Sequence, residues 1–410
     1  MEYREQLKII KSHKWDEGSD LKGGRPKKKE TKRKAGVLDK IVWFIQFIAS
    51  AFLFASLLIL GIVPFKFILL LVIIIVLLLL LTRYLQRRAY KTRSQKKRSG
   101  KGVCIFISIL FVLIGGYALK ANAALDKIAV GEESGKYTEQ HMIAVAEKPF
   151  NVYISGIDVY GDITQNSRSD VNLIATINPK THRVLITTTP RDYYVTIPGI
   201  SGGACDKLTH AGVYGIDVSM ATLENLYDTT IPFYIRVNFT SVEEIVDVMG
   251  GVDVESELAF TTSEDSGLVM DVKEGKNHFN GKEALAFVRE RQNLPTGDNQ
   301  RGRNQQALLK ALIEKAMSPL ILFRANGMIN SVAGNSETNM SEKQIKSLVK
   351  MQLNDGKGWD VESVAATGND SGKQWCYSYS DGPLYVTVPD WGSVEEIKEK
   401  INEKINETEK

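Results

Sequence analysis

Residues 288–306 read VRERQNLPTGDNQRGRNQQ, and they decide how the chain on either side is read. Four arginines, Arg289, Arg291, Arg301 and Arg303, fall within fifteen residues of a segment that is otherwise acidic. Taken as a strand, FVRER (287–291) puts Arg289 and Arg291 on one face, because side chains two apart point the same way. Leu294-Pro295-Thr296-Gly297 predicts a turn. Asp298 or Asn299 then caps a helix whose apolar stripe is Leu308, Leu309, Leu312 and Ile313. Arg301 and Gln305, four apart, share a face at its N-terminal end. Guanidinium forks beside a helix N-terminus suit a phosphate or pyrophosphate, which takes bidentate donors, backbone N–H groups and a favourable dipole. The same residues also fit a solvated loop whose arginines pair with nearby acids, and both readings stand at this point.

Strands and helices alternate outward from this stretch. FNVYISGID (150–158), VNLIATINP (171–179) and RVLITTTP (183–190) are β-rich runs, the last two separated by the turn residues Pro179-Lys180-Thr181-His182. A helix over Asp217–Tyr227 leads to the strand PFYIRVN. Thr240 or Ser241 caps the helix SVEEIVDVMG, which ends at Gly250. GGVDV (250–254) opens another strand, a helix covers Ser341–Leu353, PLYVTVPDW is a strand, and Ser393 caps a last helix, VEEIKEKINEKI. This alternation predicts an α/β fold, a mixed central sheet with helices on both faces.

The N-terminal third is different. Residues 1–40 carry 13 Lys+Arg against 7 Asp+Glu and lack hydrophobic periodicity, which predicts a disordered basic tail on the cytoplasmic side. Residues 41–81 are apolar almost throughout. As one helix they would run about 60 Å, twice the hydrocarbon thickness. Gly61 and Pro64-Phe65-Lys66 interrupt them, so two spans (41–63 and 65–81) are expected, with a third over 103–121. Residues 82–102 hold nine basic groups and no acid. Three spans keep that loop and the tail inside, as the positive-inside rule asks, and carry residues 122–410 out of the cell. Those residues hold 28 basic and 41 acidic groups, a net of −13, so no nucleic-acid partner is expected. Within them 122–148 read as a stalk, 149–317 as a catalytic core and 318–410 as a C-terminal part packed on the same domain. Three cysteines make no disulfide framework and no zinc site. Cys205 and Cys376 either pair outside the cell or remain buried thiols. His13, His141, His182 and His278 are scattered and read as surface or turn residues.

Two more clusters stand where strands end, the usual place for ligands in α/β sheets. One is Gly156-Ile157-Asp158 with Ser167-Arg168-Ser169-Asp170, and the other is Thr189-Pro190-Arg191-Asp192. Asp158 and Asp170 could hold Mg²⁺ together with phosphate oxygens, and Arg168 and Arg191 could neutralise phosphate charge. Arg–Asp pairs that merely close loops explain RSD and PRD as well.

Residues 149–317 resemble the LytR–CpsA–Psr family. The resemblance rests on Gly156-Ile157-Asp158, Arg168-Ser169-Asp170, Thr189-Pro190-Arg191-Asp192, Asp206-Lys207-Leu208-Thr209-His210-Ala211, Gly250-Gly251-Val252-Asp253-Val254, Asn280-Gly281-Lys282-Glu283-Ala284-Leu285 with Val288-Arg289-Glu290-Arg291, and Asp298 through Arg301, Arg303, Asn304, Gln305 and Gln306. Seven motifs in register are far more specific than any one. His210 stands where the family usually has Asn, and Asn304 precedes the paired glutamines. The resemblance implies an outward-facing phosphotransferase that moves a glycopolymer, such as a teichoic acid or capsular polysaccharide, from a polyprenyl pyrophosphate carrier to peptidoglycan. It implies Mg²⁺ on Asp158 and Asp170, and a pyrophosphate grip by Arg191, Arg289, Arg291, Arg301 and Gln305, supported by Lys207 and Arg168. Arg191, Arg289 and Arg291 would act on the reacting phosphate, with Asp192 or Asp170 as base. The membrane location implied is multi-pass, in a Gram-positive-type envelope. Two other readings remain: a phosphatase of the same lipid pyrophosphate, and a non-catalytic envelope regulator or transcriptional attenuator.

Overall fold

The structure, a computed structural model, describes residues 36–91, 100–128, 143–157, 166–316 and 336–408. The tail over 1–35, the centre of the basic loop, most of the stalk and Asp158 lie outside the described residues. The chain forms two compact units, Met1–Ala49 with Ile74–Ile109, and Ser50–Ile73 with Leu110–Lys410.

Three N-terminal helices, α1 (Val37–Leu60), α2 (Phe65–Lys91) and α3 (Lys101–Ile128), are long and apolar enough to cross a membrane. The break falls at Gly61, whose positive φ ends α1. α1 begins at Val37, inside the stretch expected to be a disordered tail, and α2 continues through Arg87 and Arg88 into the basic segment. Apolar continuity alone marked the expected ends, whereas arginine is itself a good helix former. Within the first unit the indole N–H of Trp43 donates to the Leu79 carbonyl at 3.2 Å, and the Gln86 amide donates to the Asp39 carbonyl at 2.9 Å.

In the second unit the strands are β1 (Phe150–Ile157), β2 (Ser169–Asn178), β3 (Arg183–Thr188), β4 (Tyr194–Thr196) and β5 (Cys205–Lys207). The short α4 (Leu208–Ala211), α5 (Ile216–Tyr227), β6 (Phe233–Val237) and α6 (Phe239–Val248) follow. A small outlying layer comprises β7 (Val252–Ser256), β8 (Phe260–Thr261), β9 (Asp271–Val272) and β10 (Gly275–Phe279). Then come α7 (Gly281–Arg289), α8 (Asp298–Ala316), β11 (Ser336–Thr338), α9 (Glu342–Asp355), β12 (Asp360–Ala365), β13 (Gly368–Cys376), β14 (Tyr379–Pro389) and α10 (Trp391–Asn406).

The central sheet has the order β11-β6-β1-β2-β3-β12 and is mixed, as expected: β1 is parallel to β6 and antiparallel to β2, and β3 is parallel to β12. Alternate residues of its strands serve opposite faces. Tyr153, Ile174 and Leu185 pack with α5 and α10 through Leu223, Tyr227, Ile397 and Ile401. Their neighbours Leu173, Ala175, Val184 and Ile186 face the other way, onto Leu309 and Ile313 of α8. The expected apolar stripe of α8 therefore splits. Leu308 and Ala311, with Leu312 against them, join Val252, Val254 and Phe279 of the outlying layer and Leu285 and Phe287 of α7. Helices on both faces leave the C-terminal ends of β1, β3, β6 and β12 at one edge of the sheet, where α/β folds place ligands.

Three local expectations need correction. FVRER is not a strand: Phe287, Val288 and Arg289 close α7, which starts at a capping box in which Asn280 accepts from Glu283 N–H and Glu283 answers with its carboxylate. α6 is capped by Asn238, two residues before Thr240, with Ser241 as its capping-box partner. α10 is capped by Asp390, and the Ser393 hydroxyl instead accepts from Thr367 N–H at 3.1 Å. In each case an Asn or Asp upstream stands three or fewer residues from the N–H that it caps.

Candidate active site

A cleft of about 180 Å³ opens at the shared strand-end edge. β1 contributes Gly156 and Ile157, β2 contributes Asp170 and Val171, and the turn after β3 contributes Arg191. Val237, Asn238, Phe239 and Val242 come from β6 and α6, Leu285, Val288 and Arg289 from α7, and Arg301 and Gln305 from α8. A Cβ on Gly156 would lie 2.7 Å from the Val171 Cβ, so only glycine lets the two strands close at this point.

The charged side chains are held in a chain of contacts. Arg191 Nη1 donates to Asp170 Oδ1 at 2.8 Å, and Arg191 Nε lies 3.6 Å from Asp192 Oδ2. Lys207 Nζ donates to the other Asp192 oxygen at 2.9 Å. From the opposite wall Arg301 Nη2 reaches the Asp170 carbonyl at 3.4 Å, and the Gln305 amide reaches the Val288 carbonyl at 3.5 Å. Arg289 lies over the Phe239 ring, 4.2 Å from its centroid, a cation–π contact that fixes the guanidinium at the cleft wall. Four guanidinium groups thus face two carboxylates, Asp170 and Asp265, among the cleft's lining residues.

Glu290, between the two arginines of VRER, is completely buried. Its Oε1 accepts from the backbone N–H of Arg291 at 2.8 Å and of Asn293 at 3.0 Å, and its Oε2 accepts from Ser263 N–H. Burial pushes this carboxyl up, but the backbone donors of Asn293, Ser263 and Arg291 outweigh it and hold the group below the usual glutamate range. The result is a tie between the end of α7 and the 3₁₀ turn Glu264–Ser266. That tie brings Ser263 and Asp265 to the cleft, where Gln292 donates to Asp265. Neither Ser263 nor Asp265 is marked by a motif, and the only signal for them was a lone acid between two arginines.

The site residues read from the sequence fall into three groups. Asp170, Arg191, Arg289, Arg291, Arg301 and Gln305 line the cleft together. Asp192 and Lys207 lie behind Arg191 as a pair outside the lining, and Arg168 is exposed and also outside it. Asp158 falls among the residues not described. Arg303 points away from the cleft and pairs with Glu257 at 2.9 Å, as its place two residues from Arg301 on a 3.6-residue helix requires. Among the described residues no three His, Cys, Asp or Glu side chains cluster as a preformed metal site. Asp170 is nonetheless the kind of donor Mg²⁺ accepts, a cleft carboxylate with acceptor capacity beyond its single bond to Arg191.

Lys207 belongs to a second, buried network. Asp206 accepts from its neighbour's N–H at 2.7 Å, contacts His210 Nδ1 at 2.6 Å and accepts from Ser378 N–H at 2.8 Å. Burial raises the Asp206 carboxyl, and these partners, His210 first, bring it below the usual range. Cys205 and Cys376 flank this network as free thiols, and burial pushes that of Cys376 up to about 11.

Comparison with known proteins places this geometry. The sequence profile of the LytR_cpsA_psr family matches residues 116–403. The chain is 30% identical over 293 residues to the polyisoprenyl-teichoic acid–peptidoglycan teichoic acid transferase TagU of Bacillus anthracis, covering 69% of this chain and 91% of that protein. It is 26% identical over 309 residues to the corresponding transferase TagV of Bacillus subtilis, covering 73% of this chain and 76% of that one. Among solved structures, B. subtilis TagV superposes with a TM-score of 0.53 at 27% identity, over 64% of this chain and 99% of that one. TagT bound to LI-WTA gives 0.51 at 26% identity, over 68% and 100%.

Proposed function

The chain belongs to the LytR_cpsA_psr family, and from that membership together with the cleft we propose a membrane-anchored phosphotransferase that attaches a polyprenyl-pyrophosphate-linked glycopolymer to peptidoglycan through a phosphodiester. The observation that carries this reading is the convergence of Arg191, Arg289, Arg291 and Arg301 in one cleft whose inner wall is apolar, Val237, Phe239, Val242, Leu285 and Val288. Such a cleft matches a charged pyrophosphate joined to a hydrocarbon chain. Three apolar helices supply the anchor, and on the positive-inside rule the cleft faces outward in a multi-pass arrangement.

In the reaction a hydroxyl of the acceptor sugar attacks the sugar-proximal phosphorus, the bond from that phosphorus to the bridging oxygen breaks, and polyprenyl phosphate leaves with that oxygen and takes up the hydroxyl proton. Arg191, Arg289, Arg291 and Arg301 neutralise the charge that accumulates on the phosphate oxygens, and the fixed walls hold attacker and leaving group in line. Gln305 orients a phosphate oxygen from the α8 side. Asp192, turned to Lys207, acts as a positioning residue for Arg191. Asp170, with Asp158, would hold Mg²⁺, which supplies further neutralisation of the diphosphate when bound.

The test uses the full chain in lipid nanodiscs with Mg²⁺, a polyprenyl-pyrophosphate oligosaccharide and a peptidoglycan oligomer, beside Asp170→Ala and Arg289→Ala. Polyprenyl phosphate release with a new phosphodiester on the acceptor, in wild type alone, is the expected result. Lipid release without acceptor modification would replace the transferase by a phosphatase, and donor binding without turnover would remove the enzyme altogether.

A further inference from the structure

The β13–β14 hairpin carries aromatic side chains in a pattern no core requires. Lys373 pairs with Tyr385 across the hairpin, and Trp375 follows two residues on; all three are exposed. The alternate positions Cys376 and Val386 are buried. Trp375 is 63% exposed, Tyr377 51% and Tyr379 42%, and Val213 and Tyr214 are exposed beside α4. None of these residues lines the arginine cleft.

This ridge is joined to the cleft at both ends. At the hairpin turn, Tyr377 N–H donates to the Cys205 carbonyl at 3.2 Å, and Ser378 binds Asp206 and His210. The next residue in β5, Lys207, bonds Asp192 beside Arg191. At the other end a Cβ on Gly212 would lie 2.5 Å from the Ser167 carbonyl oxygen and 3.0 Å from Ser169 N. The turn bearing Val213 and Tyr214 is therefore packed directly on Ser167–Ser169, the segment that bears Arg168 and leads into Asp170 of β2. The Tyr194 hydroxyl donates to the Trp375 carbonyl at 2.7 Å and so ties β4 to the ridge.

We propose that this ridge is the platform for the glycan strand of the acceptor, a reading that rests on the transferase function above. Apart from Val213, the ridge's exposed side chains are amphipathic rings, those of Tyr214, Trp375, Tyr377, Tyr379 and Tyr385. Rigid rings with polar edges offer contact area at little entropic cost and match a pyranose, which has a C–H face and a hydroxyl rim. The ridge holds one exposed cation, Lys373, so it suits a strand of near-neutral sugars rather than the diphosphate that the cleft accepts. Its continuity with the Asp170 and Arg191 loops puts a stacked strand beside the phosphate it must attack.

The experiment measures binding of soluble, uncrosslinked peptidoglycan glycan strands to the full chain in nanodiscs, without donor, by titration calorimetry. Trp375→Ala and Tyr377→Ala are expected to weaken binding about tenfold each, while Trp375→Phe and Tyr377→Phe hold within about threefold, and the Km for the donor stays unchanged. Equal strand binding in wild type and the alanine variants would overturn the platform even if transfer is intact. Strand binding that depends on the ridge, with no transfer, would instead overturn the transferase and leave the platform. Quenching of wild-type fluorescence by brominated lipids that disappears in Trp375→Phe would show a ridge buried in the membrane surface and overturn the proposal.

Discussion

Glu290→Gln tests whether one buried carboxylate sets the positions of two cleft arginines. Glutamine can keep a carbonyl oxygen where Oε1 now accepts from Arg291 and Asn293. Its amide nitrogen then faces the N–H of Ser263, a donor against a donor. The change removes one charge-assisted hydrogen bond, worth about 1.5–3 kcal/mol, and leaves a buried donor unsatisfied at about 1–3 kcal/mol. Relaxation of the Ser263 turn recovers part of this, so a net loss of about 2–4 kcal/mol is expected. Pulse proteolysis in urea, on the full chain in nanodiscs, reads that loss directly. The pH dependence follows from the direction of the shift. The folded carboxyl sits below its unfolded value of about 4.3, so its contribution is fully present above that value and is lost as pH falls through the folded pKa. The gap between wild type and Glu290→Gln is therefore constant from pH 7 to about pH 5 and narrows below about pH 4. Because the tie also positions Arg291 and Asp265, the Km for the lipid pyrophosphate should rise about tenfold, the effect of a misplacement well under 1 Å. A stability change below about 0.5 kcal/mol, with donor Km intact, would refute the argument.

Arg191→Lys keeps the charge but loses the fork that spans Asp170 and Asp192, so kcat/KM is expected to fall about 10–100-fold. Its thermal stability should change little, since the Arg191–Asp170 pair is partly solvated; a large drop in melting temperature would show that the pair is structural. Gly281→Ala would place a Cβ 2.3 Å from the Glu243 carbonyl oxygen, where backbone must move, and is expected to cost about 1–3 kcal/mol in urea unfolding by separating α7 from α6. An unchanged midpoint would mean that the two helices are not held at that contact.

The sequence shows most of the cleft because its charges sit at strand and helix ends, where short motifs fix them. Asp170, Arg191 and the α8 pair Arg301 and Gln305 each follow from a local pattern, and the sheet brings those patterns to one edge. FVRER passes from apolar to charged residues, a pattern that fits a strand and the end of a helix equally. The Asn280–Glu283 capping box, seven residues upstream of Phe287, decides the matter. Arg303 could have been set aside from Arg301 by helical periodicity alone. For Ser263 and Asp265 the lone acid Glu290 between two arginines is the one signal, and it does not name them, since only a contact across 27 residues, from Glu290 to Ser263, brings them in. The ridge over Trp375 and Tyr377 was equally hidden, because in sequence an exposed strand and a half-buried one differ only in which alternate residue faces the core.

A domain segment carrying a net charge of −13 must still bind a polyanionic head group, and the Asp170–Arg191–Asp192–Lys207 chain shows how the two are reconciled. Each cation in that chain touches a carboxylate in the resting state, so the guanidinium is not left as an unpaired charge in a half-buried cleft. Asp192 is matched by Lys207 and keeps its grip on the Nε side when a ligand arrives. Among the described residues Asp170 has no second cation at comparable distance, only Arg301 Nη2 on its own carbonyl oxygen. On the function proposed above, a diphosphate entering the cleft would exchange with Asp170 for the outer edge of Arg191 while the inner edge stays fixed. Removing Asp192 should then loosen Arg191 and raise the donor Km, whereas removing Asp170 should leave donor binding in place and abolish turnover. The opposite pattern would mean that the arginine is positioned by its strand, not by its carboxylates.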